Sequence, residues 1–94
     1  MILHKLSSSP FESTEIAQCL QRVAEQDKIL LMENAVYGLN HNQISAQLKA
    51  HGRVFVLIDD AQARGVNLPA DTFVAVSYSD FVTLCAECTQ VISW

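Results

Sequence analysis

Residues 54–58 read VFVLI, an apolar run with no polar position to mark a solvent side. A strand with one wet face alternates apolar and polar residues. An unbroken run instead marks a strand covered on both faces, as in a parallel sheet between helices. Working outward, MILHKL (1–6), KILLM (28–32) and TFVAVSY (72–78) are further β-type runs, the last two uninterrupted at their centres. Between them apolar residues recur at helical spacing: Ile16, Ala17, Leu20, Val23 and Ala24 within 14–25, Ile44 and Leu48 within 40–50, and Phe81, Val82 and Leu84 within 79–87. DDAQARG (59–65) reads as a turn or short helix, and the tail CTQVISW (88–94) as a fifth short strand. The alternation predicts one compact domain over 1–94. It is a doubly wound α/β fold with right-handed crossovers, a mostly parallel five-stranded sheet and helices on both faces.

The totals fit one core and no second domain: 94 residues, half of them apolar. A chain this short buries only roughly 60–65% of its unfolded surface. Its mean hydropathy is nevertheless positive, +0.19, so part of the apolar surface is expected to meet another subunit. The apolar runs fall far short of the ~20 residues of a membrane-spanning helix. The opening MILHKLSSS lacks the features of a secretory signal, so a cytoplasmic protein with three reduced thiols is expected. A net charge of -4, with basic residues scattered from Lys5 to Arg64, leaves no footprint for nucleic acid. The expected partners are proteins or small molecules.

In a fold of this kind, ligands and partners meet the loops at the carboxyl ends of the strands. Those loops are SSSPFES (7–13), ENAVYG (33–38), DDAQARG and SYSD (77–80). None carries a glycine-rich phosphate signature, so a nucleotide is not expected, and no cofactor or metal is implied. By loop position, Tyr37, Asp59, Arg64 and Phe81 are the candidate partner-facing residues.

Ser9-Pro10-Phe11-Glu12 fits a capping box, with Ser9 as N-cap, Pro10 in the first turn and Glu12 reaching back; Ser13 is the rival start. A regular helix from Ser13 buries Ile16, Leu20, Val23 and Ala24 and puts Cys19 on the shoulder of that stripe. Two turns into the helix, Cys19 lies beyond the dipole that lowers a thiol pKa, and so reads as a half-buried packing residue. Cys85-Ala86-Glu87-Cys88 sits at the wrong helix end for a redox dithiol, and His4, His41 and His51 show no ligand spacing that would complete a zinc site. Two cysteines filling one helix face is the better reading. Asp59-Asp60 reads as one helix cap and one solvated carboxylate, and the histidines as surface residues.

Taken together, ILHKLSSSPFES, LLMENAVYGL (30–39), VFVLIDDAQARG, VSYSDFVTL (76–84) and Trp94 resemble, in order and over the whole chain, the TusB/DsrH family of DsrE-like proteins. The resemblance implies a compact α/β fold with a parallel-rich five-stranded sheet. It also implies a cytoplasmic heterohexamer with TusC/DsrF-like and TusD/DsrE-like chains, relaying persulfide sulfur from a TusA-like donor to a TusE-like acceptor for tRNA wobble-uridine 2-thiolation. The Dsr version serves dissimilatory sulfur oxidation. The principal sulfur-carrying cysteine then lies in the TusD/DsrE companion, and this chain is an auxiliary or non-catalytic subunit. DsrH-type chains are similar to this one in having a cysteine nine residues after the proline of the SPF segment. That makes Cys19 a candidate auxiliary persulfide carrier. A homo-oligomeric scaffold or binding module of the same fold, without sulfur chemistry, is the alternative.

Overall fold

The structure, a computed structural model, describes residues 1–69 and 72–94. The elements run β1 (Ile2–Leu6), α1 (Glu15–Arg22), β2 (Lys28–Leu31), a 3-10 segment (Glu33–Asn40), α2 (Asn42–His51), β3 (Val54–Leu57), α3 (Ile58–Ala63), β4 (Val74–Val76), α4 (Tyr78–Glu87) and β5 (Gln90–Ser93). The five strands form one sheet in the order β4-β3-β2-β1-β5, and every pairing is parallel. The expected α/β architecture is therefore present, with the tail as the fifth strand.

Strand order decides how the faces are covered. From β1 to β4 the chain always steps the same way across the sheet, and right-handed crossovers then place every connection on one face. Leu6, Ile29, Leu31, Val54 and Val56 point to this face. They pack against Ile16 and Cys19 of α1, Ala35 and Val36 of the 3-10 segment, Ile44 and Leu48 of α2, and Ala61 of α3. The step from β4 back to β5 runs the other way, so α4 lies alone on the opposite face. There Leu84, with half-buried Phe81, Cys85 and Cys88, packs on Leu3, Leu30, Leu57 and Val76.

Local chemistry sets the helix ends. Ser77 Oγ accepts from Asp80 N–H at 3.2 Å and Asp80 Oδ2 accepts from Ser77 N–H at 3.1 Å, a complete capping box at the start of α4. α2 begins with His41, whose Nδ1 accepts from Ile44 N–H at 3.2 Å, and ends at Gly52, where φ of +83° favours a residue without a Cβ.

Several expectations are corrected. The capping box at Ser9 and Glu12 does not start a helix. Ser9 instead closes an isolated turn, its carbonyl accepting from Glu12 and Ser13 N–H and its Oγ from Phe11 N–H. α1 begins later and ends at Arg22, with Val23 extended, which removes Val23 and Ala24 from the helical stripe. ENAVYG is not a loop but part of the 3-10 segment, and Ile58 opens α3 rather than closing β3.

Candidate functional site

Because all strands are parallel, all their carboxyl ends lie on one rim, which gathers three of the four candidate partner-facing residues. Arg64, at the end of α3, donates from Nε to Asn34 Oδ1 at 2.8 Å and from Nη1 to the Asp60 carbonyl at 3.3 Å. Asn34 and Tyr37 line a shallow groove of about 330 Å³ with Ser9, Phe11 and Glu12. Asn34 thus joins Arg64 to the Tyr37 side of the rim. Asp59 is exposed in the first turn of α3. Its neighbour Asp60 does not cap that helix as expected: its Oδ2 accepts from Glu33 N–H across the rim at 2.6 Å. Glu33 has φ +49°, a left-handed backbone unusual outside glycine. Asp60 holds it there, since the bonded N–H belongs to the strained residue itself.

Phe81 lies apart from these three, on the other face of the sheet. It is half-buried under α4, edge-on to Tyr78 at 6.0 Å between ring centroids, with Lys5 Nζ 5.8 Å from its ring. Tyr78 and Val82, one turn apart on α4, are 57% and 63% exposed, and Val74 on the neighbouring edge strand is 52% exposed. These percentages mark an apolar surface that the chain leaves uncovered.

Cys19 sits at the centre of the buried stripe rather than on its shoulder, with 0% exposure. The short helix explains the shift. With Val23 and Ala24 outside it, Ile16 and Cys19 become the pair that faces the sheet, while Ala17 and Leu20 turn to the groove against α2. Burial, followed by the negative charge of Asp27, pushes the Cys19 thiol up to about 12. At neutral pH roughly one molecule in 10⁵ then carries the thiolate that attacks sulfur. Cys85, in α4, and Cys88, extended just past the end of that helix rather than on its face as expected, are also free thiols; both are only half-buried and pack against the second core.

Reading the histidines as surface residues missed a buried polar network. His4 points from β1 toward the α1 side and is 4% exposed, as is Asp27. His4 Nε2 lies 3.1 Å from Asp27 Oδ2, and Trp94 Nε1–H donates to His4 Nδ1 at 3.2 Å. Asp27 also accepts from the N–H groups of Ile2 and Ala24, and its carbonyl accepts from His51 Nε2 at 2.7 Å. Burial alone would raise the Asp27 pKa. The bonds from His4, Ile2 and Ala24 outweigh it and hold the carboxyl below its usual range. One signal was available in the sequence: His4 alternates with Ile2 and Leu6, which places all three on one strand face.

Among the described residues, no helix is long and apolar enough to cross a membrane, and no three His, Cys, Asp or Glu residues converge as a metal site.

Comparison with known proteins adds the family. The crystal structure of ychN protein from E. coli matches with a TM-score of 0.73 over 99% of this chain and 97% of that one, at 18% identity. The solution structure of Tm0979 from Thermotoga maritima matches with a TM-score of 0.65 over 93% of each chain, at 23% identity. At these identities the likeness shows the fold. In sequence, Protein TusB of Erwinia tasmaniensis is 30% identical over 99% of this chain and 100% of its own length. Protein TusB of Klebsiella pneumoniae strain 342 is 32% identical over the same spans. The family profile described as DsrH like protein matches residues 8–91. With its ordered strand-end segments, its all-parallel five-stranded sheet and relatives aligned over their whole length, the chain belongs to the TusB/DsrH family.

Proposed function

We propose that this chain is the assembly subunit of a cytoplasmic sulfur-relay complex that serves tRNA wobble-uridine 2-thiolation. In this reading it joins TusC/DsrF-like and TusD/DsrE-like chains in a heterohexamer, between a TusA-like donor and a TusE-like acceptor. The observation that carries the proposal is the thinly covered face: one helix over five strands, with Tyr78, Val82 and Val74 exposed. An uncovered apolar surface of this kind is typical of protein contact regions. The rim with Tyr37, Asp59 and Arg64 offers a second, polar contact region, and Phe81 supports the first from beneath.

A persulfide relay also defines what this chain does not supply. In each step an acceptor thiolate attacks the outer sulfur of a donor persulfide. A new sulfur–sulfur bond forms, the donor bond breaks, and the donor leaves as a thiolate, with no outside oxidant. Cys19 meets neither requirement in the folded chain, access or thiolate character, and in this reading the principal carrier is a cysteine of the TusD/DsrE-like companion, as the family resemblance implies. Cys19 acts as an auxiliary carrier only if α1 lifts away in the complex.

Co-expression with the two companion chains tests the assembly: one stable species on size exclusion is expected, and separate elution overturns the reading. A persulfide donor offered to the reconstituted complex, followed by mass spectrometry, should label the companion and leave Cys19 unmodified; sulfur on Cys19 would restore the auxiliary role. Loss of 2-thiouridine from tRNA on deletion separates thiolation from the second reading, sulfur oxidation, which the DsrH-type position of Cys19 favours.

A further inference from the structure

The geometry points to a proton-operated latch in which neutral His4 holds Trp94 against the sheet and protonated His4 releases it. The argument starts from what each group can do. An indole N–H only donates. At 3.2 Å from Trp94 Nε1, His4 Nδ1 must therefore accept, and so carries no hydrogen. In a neutral imidazole the hydrogen is then on Nε2, which donates to Asp27 Oδ2 at 3.1 Å. One tautomer satisfies all three side chains. A proton added to His4 can go only to Nδ1, where it meets the Trp94 N–H as donor against donor.

The surroundings decide which contact gives way. Asp27, held ionised by its other bonds, pairs with the charged imidazole as well as with the neutral one. From α1, Cys19 is neutral and buried, and Arg22 lies over the Trp94 ring at 5.9 Å from its centroid. From the end of α2, His51 bonds the Asp27 carbonyl and not His4. On β1, Lys5 points to the other face toward Phe81. The amino group of Met1 is bonded to Thr89 on the approach to β5. None of these groups offers Nδ1–H an acceptor, so the bond to Trp94 is the one lost. Trp94 is only partly buried against the core, and its departure needs no rearrangement of β1.

The place of the latch decides what it controls. β5 is an edge strand, and Trp94 packs against the α1-side core next to it. Its release uncovers apolar surface beside α1 and frees Arg22 from the ring, while the β1–β5 pairing over Ile2–Lys5 and Gln90–Ser93 keeps the strand in place.

Trp94 is the sole tryptophan, so its emission reports the latch directly in the intact chain. Lowering the pH until the ring ¹⁵N shifts report protonation of His4 should, in step with that protonation, shift the emission to the red and raise acrylamide quenching severalfold, with far-UV circular dichroism unchanged. In His4→Gln the emission change should vanish. Should that variant fail to fold, ¹⁵N shifts of the His4 ring in the unmodified protein provide the check: Nδ1 should be the unprotonated nitrogen at pH 8 and gain its proton together with the emission change. A hydrogen on Nδ1 at pH 8, or a His4 titration that leaves Trp94 emission unmoved, overturns the latch.

Discussion

The α1 side of the sheet lies under α1, the 3-10 segment, α2 and α3, whereas the opposite side lies under α4 alone. The thiols obey this division. Cys19 is sealed with its pKa pushed to about 12, and Cys85 and Cys88 are half-open. The same residue type is therefore inert on one face and reachable on the other, for a reason that lies in strand order rather than in the local sequence of either helix. The thick face encloses a core that this chain completes by itself. The thin face leaves apolar surface that another chain completes.

The largest expected effect breaks the thick face. Leu48→Ala removes a fully buried side chain between α2 and the sheet and should cost about 3 kcal/mol, read as a lower urea midpoint with an unchanged slope. Asp27→Asn strikes the buried polar network on the same side and should cost about 2 kcal/mol near neutral pH through weakened charge-assisted bonds. The depressed folded pKa gives the sign of its pH dependence. The ionised carboxylate stabilises the fold above the unfolded value of about 3.9, and that stability is lost as pH falls through the folded value. The acid limb of a stability profile should accordingly be shallower in Asp27→Asn than in the unmodified chain.

On the thin face, Ser77→Ala removes the cap of α4 and should cost about 1 kcal/mol. Tyr78 and Val82 sharpen the contrast further. Replacing Val82, at 63% exposure, with Asp should change monomer stability by less than about 0.5 kcal/mol while abolishing co-elution with the companions. A thiol titration separates the faces with the mildest perturbation. Two thiols should react promptly with an aromatic disulfide reagent and the third only as fast as α1 opens, a lag that denaturant removes.

Legibility in the sequence divides along the same line. Unbroken apolar runs such as KILLM and VFVLI report burial on both sides whatever covers them, so the inner strands β2 and β3 are readable directly, whereas the run in β4 leaves Val74 and Ala75 exposed at the sheet edge and β5 has no apolar run to mark it. Coverage by three helices or one is not readable in this way, because it depends on strand order. The position of Cys19 turned on where α1 ends: its angle to Ile16 is fixed by the helix period, but with Val23 and Ala24 outside the helix the buried stripe centres on Ile16 and Cys19. Ser9 and Glu12 offered a plausible cap and Ser77 and Asp80 the real one; the first pair leads into a proline-bearing turn, the second into a full helix. The His4, Asp27 and Trp94 network joins residues 23 and 90 positions apart in the chain, a separation over which no periodicity operates.

The interior place of β1, second from the sheet edge, has a consequence for the making of the molecule. Its two neighbours are β2 and β5, and the bond from Thr89 to Met1 spans 88 residues. As the chain leaves the ribosome, β1 can pair early with β2, but its other edge stays open until nearly all the remaining residues have been made. Contacts of such long range form late, and an unpaired edge invites pairing with other chains in the meantime. For this protein, the interval before β5 docks is the period of greatest exposure to misassembly.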